Sequence, residues 1–386
     1  VDLGISLIHR ERASDQLIYG FTGNQSTYDA NSETRRVSDV VNQETITGDS
    51  STGIAFDDKT LASGSYDAEM DLNSVSVSLA QRFATSYQAI FGVRYESYEQ
   101  TTDTFSLQGA QLPETAVIDD DAVLPTLSLN WEISDSQQLR FAASQTISRP
   151  DFKETSNATF YEADCDCRVR GNPNLVPSDV TNFDLRWEWY WSDTENVSVA
   201  LFQKTFDAPI ERVLLTASGT AGNSRTYENS NQADLFGIEF DTRKDFDLTD
   251  SGSRALFATV NASYIESEIE LDSGETRKLQ GQPDYTFNLV LGYDDYTGFA
   301  HQEVTLLLNQ SGETIVDVGQ TGLSNISEEP RMDLDLNYKI NFSDSLVFKA
   351  KAGNLLDEAV EFTQGGRVFQ EYKQGVTFEA GIDWKF

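Results

Sequence analysis

The sequence predicts an all-β protein, an antiparallel β-barrel that crosses a membrane on its strands. Three observations predict it. Apolar and polar side chains alternate with a period of two along nearly the whole chain. Many of the alternating segments run from 11 to 19 residues, beyond the roughly five or six usual for strands of globular proteins. The connections between them are short and long by turns. Successive side chains of a strand point to opposite faces, so each strand has one apolar face and one charged face.

About fourteen strands are expected, near 2–10, 66–83, 88–105, 122–134, 138–150, 180–192, 196–213, 225–245, 254–270, 284–294, 301–318, 331–342, 346–362 and 368–386. The last is the plainest: Val376, Phe378, Ala380, Ile382, Trp384 and Phe386 interleave with Thr377, Glu379, Gly381, Asp383 and Lys385. In 331–342, Leu334, Leu336 and Tyr338 oppose Asp333, Asp335 and Asn337. In 180–192, Phe183, Leu185, Trp187 and Trp189 oppose Asp184, Arg186 and Glu188. A membrane-spanning strand needs about 9–11 residues, which these segments supply with some to spare. A soluble sheet of this size would not keep its charges in strict alternation along so many long strands.

Short turns sit at 84–86, 134–136, 193–195, 294–298 and 343–345, with a middling one at 247–253. Long loops lie between them, at 11–65, 106–121, 151–179, 214–224, 271–283 and 319–330, with a shorter one at 363–367. Short turns on the periplasmic side and long loops outside are the pattern of outer-membrane barrels. Aromatic residues gather at strand ends, among them Trp187, Trp189, Trp191, Phe342 and Trp384. Amphipathic rings favour the headgroup zone, so these are expected to form a girdle.

Composition narrows the function. Net charge is −35, from 28 Lys+Arg against 63 Asp+Glu, which leaves no basic surface for a phosphate backbone and excludes nucleic acid as a partner. Mean hydropathy is −0.42, with no apolar run near the roughly 20 residues of a helical span. With 11% aromatic residues the chain is not of the disordered class. Two Cys and two His leave little for a zinc or thiol enzyme, and no Gly-x-Ser-x-Gly elbow occurs. No enzymatic activity and no cofactor are expected. The chain opens on Val1-Asp2-Leu3-Gly4, already strand-like and without a signal peptide, as expected of a start removed by processing or lying within a larger protein.

Several segments then carry a likeness to a known family. They are Gln145-Thr-Ile-Ser-Arg149-Pro150-Asp151-Phe152, Arg170-Gly171-Asn172-Pro173-Asn174-Leu175, Thr181-Asn182-Phe183-Asp184-Leu185, Lys204-Thr-Phe-Asp-Ala-Pro209-Ile210-Glu211, Leu279-Gln280-Gly281-Gln282-Pro283 and Asn354-Leu355-Leu356-Asp357. In order and spacing the chain resembles the C-terminal part of a TonB-dependent outer-membrane receptor over most of 66–386. Residues 11–65 carry no such likeness. The Arg-Pro-Asp-Phe and Gly-Asn-Pro-x-Leu pair is similar to a large group of the family that includes carbohydrate-linked receptors.

The resemblance implies a barrel of about 22 strands filled by an N-terminal plug, of which residues 1–386 would supply the C-terminal part, without the plug and the first strands. It implies a receptor of the Gram-negative outer membrane. Such a receptor binds a scarce nutrient (an iron–siderophore chelate, a carbohydrate or similar) at its outer loops and imports it with TonB-coupled energy. The implied partners are a small-molecule ligand, outer-membrane lipid and lipopolysaccharide, the TonB complex through the missing N-terminal region, and the barrel-assembly machinery through the terminal aromatic Phe386. The alternative is a complete 14-stranded passive channel or fatty-acid-type transporter.

Within that frame the loop 151–179 is the candidate for ligand contact, holding Tyr161, Asp164, Cys165, Asp166, Cys167, Arg168, Arg170 and Asn172. An aromatic ring with Arg suits sugars by stacking or anionic chelates by charge. Loops of the family also rest on one another as plain structure, which is the competing reading. Cys165 and Cys167 allow a local disulfide in an oxidising compartment. A soft-metal site there would need further ligands, and His9 and His301 are far off in sequence. Asp119-Asp120-Asp121, with Asp103 and Glu114, reads either as a solvated acidic loop or as oxygen ligands for Ca²⁺. The polar strand faces (Asp184, Arg186, Glu188; Glu239, Asp241, Arg243; Arg331, Asp333, Asp335) are expected to line a wet lumen.

Overall fold

The computed structural model describes residues 1–386 apart from 24–42, 44–45, 47–52, 61–63, 106–113, 164, 166, 216–223, 272–273, 275, 299, 321 and 386. Fourteen long strands follow one another along the wall. They are β1 (Asp2–Asp15), β2 (Ser65–Phe83), β3 (Tyr87–Phe105), β4 (Glu114–Ser134), β5 (Gln137–Ser148), β6 (Ser178–Tyr190) and β7 (Asn196–Asp207). Then come β8 (Ala233–Asp247), β9 (Arg254–Glu270), β10 (Tyr285–Asp295), β11 (His301–Ser311), β12 (Arg331–Ser343), β13 (Leu346–Gly353) and β14 (Thr377–Trp384). Each pairs with the next in chain order, so the sheet is one antiparallel meander. Phe386, expected to meet the assembly machinery, lies outside the described residues.

The lower half of the wall follows the expected alternation. On β2, Val75, Val77 and Leu79 are exposed on one face. They stand opposite Ile5 and Leu3 of β1 and opposite Tyr95, Val93 and Phe91 of β3. The outward row continues through Val123, Leu129 and Trp131 on β4, Phe183 and Leu185 on β6, Ile238 and Phe240 on β8, and Leu336 on β12. The other face is polar and knitted. Glu188, Ser198, Asp241, Asn261, Asn288 and Asn309 stand directly opposite one another across β6 to β11. Ser198 Oγ donates to Asp241 at 3.2 Å, Asn261 Nδ2 to Asp241 at 2.5 Å and Asn288 Nδ2 to Asn261 at 3.0 Å. Hydrogen bonds satisfy these amides and carboxylates, as groups on the inside of a barrel require.

The upper part of β2, β3 and β4 reverses the alternation. Above Ser74 the inner face holds Tyr66, Ala68 and Met70, joined by Tyr98 of β3, Ala116 and Ile118 of β4 and Phe160 of a loop, all buried. The outer face there holds Asp67, Glu69, Glu99, Asp103, Asp119 and Asp121, all exposed. Water replaces lipid outside, and loops folded inward replace water inside, so the apolar face changes sides.

Five of the expected strands break in two. The segment 196–213 ends as a wall strand at Asp207, because Ala208 takes a left-handed φ of +53° and Pro209 cannot donate to the ladder. It resumes as a loop strand, Ile210–Leu214. Asn354 (φ +53°) and Asp357 (φ +46°) divide 346–362 in the same way, and Gly375 (φ +81°) divides 368–386. The segments 225–245 and 301–318 break at 230–232 and 312–313. β4 begins at Glu114 rather than near 122, within what was expected to be a loop.

The pieces cut off from the wall pair with one another. One four-stranded sheet runs Ile210–Leu214, Ser224–Asn229, Cys167–Arg170, Thr159–Glu162. A second runs Thr314–Asp317, Ile326–Glu328, Val360–Gln364, Arg367–Tyr372. A parallel bridge between Val213 and Val318 joins the two.

Candidate functional site in the outer loops

The loop after β5 starts from the wall. Arg149 ends the strand with its guanidinium over the Tyr98 ring, 4.4 Å from the centroid. Its Nη1 donates to Glu96 at 2.6 Å and its Nη2 to Asp120 at 2.9 Å. Pro150 then turns the chain inward, and Asp151 caps a one-turn helix, Phe152–Thr155. The cap is a capping box: Lys153 N donates to Asp151 Oδ1 at 3.0 Å, and Asp151 N donates to Glu154 Oε2 at 2.9 Å. Burial, the largest influence, raises the Glu154 pKa above the usual carboxylate range; the bond from Asp151 N opposes it. Buried Thr155 accepts from Gln100 Nε2 at 3.0 Å and pairs with Thr102 at 3.0 Å, which pins the helix to β3.

Gly171 then passes so close to this turn that a Cβ would sit 2.0 Å from Ser156 O, so only glycine fits. Between turn and glycine stands the hairpin Thr159–Glu162/Cys167–Arg170. Tyr161 lies opposite Arg168 and Thr159 opposite Arg170, so Tyr161, Arg168 and Arg170 share one face. That face is exposed, while Phe160, Cys167 and Val169 on the other are buried. The Gln16 side chain fixes the hairpin edge, accepting from Tyr161 N at 2.9 Å and donating to Tyr161 O at 3.2 Å. Arg170 Nε donates to Asn157 at 2.6 Å.

The structure thus brings three of the four expected contact residues together. Asn172 is elsewhere: its Nδ2 donates to Tyr227 O at 2.9 Å and its Oδ1 accepts from Asn174 N at 3.0 Å, the work of a turn residue. Cys165 and Cys167 are joined, with Cα atoms 5.1 Å apart. Asp164 and Asp166 lie outside the described residues. The expected Ca²⁺ alternative at Asp119–Asp121 meets a geometric obstacle. Strand alternation sends Asp120 inward to Arg149 and leaves Asp119 and Asp121 exposed on the other face. Two other groups set a histidine among carboxylates, His9 with Glu69 and Asp71 and His301 with Asp294 and Glu303. In the second, Lys339 already holds Glu303 at 3.0 Å.

Sequence reasoning missed the centre that holds the loops together. Asp317 is buried and accepts from Arg212 Nε at 2.5 Å and from Arg225 Nε at 2.7 Å. Glu211, also buried, accepts from Arg277 Nη1 at 2.8 Å, Arg277 Nη2 at 2.5 Å and Gln280 N at 3.1 Å. Gln280 bridges two backbones: its Oε1 accepts from Arg212 N at 2.6 Å, and its Nε2 donates to Arg212 O at 2.9 Å and Val316 O at 2.7 Å. Arg212 Nη1 also reaches Glu162 at 3.5 Å. Nearby, burial pushes the Tyr227 phenol up to about 12; Glu154 and Glu162 add to the rise and Arg212 opposes it. The signal lay in the motifs around Glu211 and Gln280; nothing in them paired either residue with a partner.

Comparison with known proteins accords with this architecture. A mutant of the ferric enterobactin receptor PfeA from Pseudomonas aeruginosa, solved with enterobactin, aligns at TM-score 0.58 and 15% identity, over 99% of this chain and 59% of that one. The siderophore receptor PiuA from Acinetobacter baumannii aligns at TM-score 0.64 and 14% identity, over 100% of this chain and 53% of that one. The ferric-catecholate import receptor Fiu from E. coli K12 aligns at 0.58 and 13%, over 84% and 46%. At these identities the likeness is one of fold, and the chain spans about half the length of the structures it matches. No curated protein matches in sequence. The family model described as TonB dependent receptor-like, beta-barrel, matches residues 5–355. The chain therefore belongs to the TonB-dependent receptor family of the Gram-negative outer membrane, a family of transport receptors, and forms part of its β-barrel.

Proposed function

We propose that residues 1–386 are the C-terminal part of the barrel of a receptor that imports a scarce small anionic chelate, of the iron–siderophore kind, with energy delivered through TonB. The plug and the TonB-contacting segment would belong to a preceding region. The observation that carries the ligand reading is the hairpin face of Tyr161, Arg168 and Arg170. In a chain of net charge −35, two guanidiniums beside a phenol ring form a local cationic and aromatic surface. Arg binds planar anions through paired N–H donors and stacks on rings, and catecholate chelates present both. The family match and the siderophore receptors among the structural neighbours support this reading.

The test uses the full receptor in an iron-starved host lacking its own siderophore receptors, with radiolabelled ferric enterobactin as probe. Arg168→Gln with Arg170→Gln is expected to lower binding at least tenfold while leaving the folded, heat-modifiable barrel intact. Unchanged binding would remove the hairpin from the site. Uptake that survives collapse of the proton-motive force would instead favour the passive-channel alternative.

A further inference from the structure

We infer that segments 210–214 and 224–229 of the loop after β7, 276–281 of the loop after β9 and 314–318 of the loop after β11 move as one rigid body, clasped by buried charge, and that Asp317 is the centre of that clasp. This rests on the reading of the outer loops as the ligand-facing part of a receptor only for its consequence, namely that access to the barrel changes by moving this unit whole. Three independent seams carry it. The first is electrostatic. Asp317, from the loop after β11, lies between Arg212 and Arg225, both from the loop after β7, and its side chain is 3% exposed against 1% for Arg225. The second is a further ion pair, Glu211 with Arg277, whose side chains are 1% and 11% exposed, joining the loops after β7 and β9. The third is main-chain. Leu214 N donates to Val318 O at 2.8 Å, Val318 N to Arg212 O at 3.0 Å and Gly281 N to Ile315 O at 2.9 Å.

Separating the loop after β7 from either of the other two would leave a charge in the interior without its partner, which is far more costly than parting exposed pairs. Ionised groups buried in this way favour two states, fully docked or fully apart, over gradual fraying. The loop after β5 joins the unit more loosely. Its links are the partly exposed Glu162–Arg212 pair, a two-residue parallel contact of Ser224 with Arg168 and Arg225 with Val169, and neutral hydrogen bonds from Asn172 to Tyr227 O and between Val176 and Asn229. It is expected to follow the body through Arg225, so that the clasp also sets where Arg168 stands.

Hydrogen exchange of the full receptor in lipid nanodiscs, without ligand, tests this apart from any reading of the ligand. In Asp317→Asn, amides of 210–214, 224–229 and 314–317 are expected to exchange at least tenfold faster, together. Wall strands β6 to β12 should stay as in the parent, and Asp317→Glu should recover most of the protection. Faster exchange confined to 314–317, or no change anywhere, would overturn the proposal. Should Asp317→Asn not assemble, Arg212→Met removes one cation and leaves Arg225 on Asp317. It is expected to give the same joint pattern at roughly threefold, and an effect restricted to 210–214 would overturn the proposal equally. Asp357→Asn, which breaks the exposed pair with Lys373 beside the second loop sheet, should leave all three segments unchanged, and loosening of them by it would also count against the clasp.

Discussion

Two stretches of the wall gain height by different means. β2, β3 and β4 have 19, 19 and 21 residues, whereas β10, β11, β12 and β13 have 11, 11, 13 and 8. The excess is roughly ten residues, about 20 Å beyond the bilayer for a strand tilted near 45°. On the tall side the strands themselves continue, and a loop folds against their inner face to make a small core. On the low side the strands stop near the lipid boundary, and the loops above pair among themselves into a separate sheet. What differs is the solvent on each face. A strand between lipid and lumen must be apolar outside, whereas one between water and a packed loop must be apolar inside. The tall strands do both in succession.

The largest expected effect lies in the tall side's inner core. Arg149 binds both Glu96 and Asp120, and the Arg149 and Glu96 side chains are 11% and 9% exposed. Arg149→Met leaves Asp120 without a cation and Glu96 with Arg94 alone, and is expected to cost about 3 kcal/mol. The matching change on the low side, Lys351→Met, parts an exposed pair with Asp335 and should cost about 1 kcal/mol at most. Urea unfolding of the two variants in lipid vesicles measures the difference. Equal losses would mean that the upper tall wall is as wet inside as the lower one.

The lipid boundary can be located next. Leu79→Arg on β2 and Leu336→Arg on β12 both point outward within the apolar band and are expected to cost about 2–4 kcal/mol near its middle. Glu69→Arg, ten residues higher on the same β2 face as Leu79, should cost about 0–1 kcal/mol. A loss at Glu69 as large as that at Leu79 would place lipid against the acidic rows and remove the reversal of faces.

This reversal marks how much of the fold the sequence discloses. Period two survives it, so β2 and β3 are legible from end to end. In 114–121 the acidic residues hide Ala116 and Ile118, the inward apolar pair, and the start of β4 reads as loop. The breaks at Ala208, Asn354 and Asp357 depend on left-handed φ values at residues other than glycine, which periodicity does not encode. At the candidate site, Tyr161, Arg168 and Arg170 are legible by their chemistry, and the hairpin register then sets them on one face. Asn172 shows the limit of that reasoning, since a polar side chain at a turn bonds backbone as readily as ligand. The pairing of Arg225 with Asp317, 92 residues apart, depends on how two loops meet over the barrel, and no local pattern fixes that.

The smallest expected effect concerns the seam between the loops after β5 and β7, where Tyr227 is held at a pKa of about 12 against an ordinary value of 10.0. Burial is the main cause, and it disfavours the phenolate. Below pH 10 the phenol is neutral whether the loop is docked or free, and Tyr227 contributes its full share. Above pH 10 the free loop ionises first and binds fewer protons than the docked one, so docking weakens as pH rises, until the docked phenol ionises near 12. The loss is confined to that alkaline window and is absent at neutral pH. Tyr227→Phe has no proton to lose, and its loop sheet is expected to keep its stability through that range where the parent loosens. Tyrosinate absorbance in the alkaline range, read beside loss of protection at 224–229, measures both halves of the linkage. Were the parent and Tyr227→Phe to loosen at the same pH, the phenol would be solvated, and the seam between these two loops would lack the dry contact found on the inner face of the tall wall.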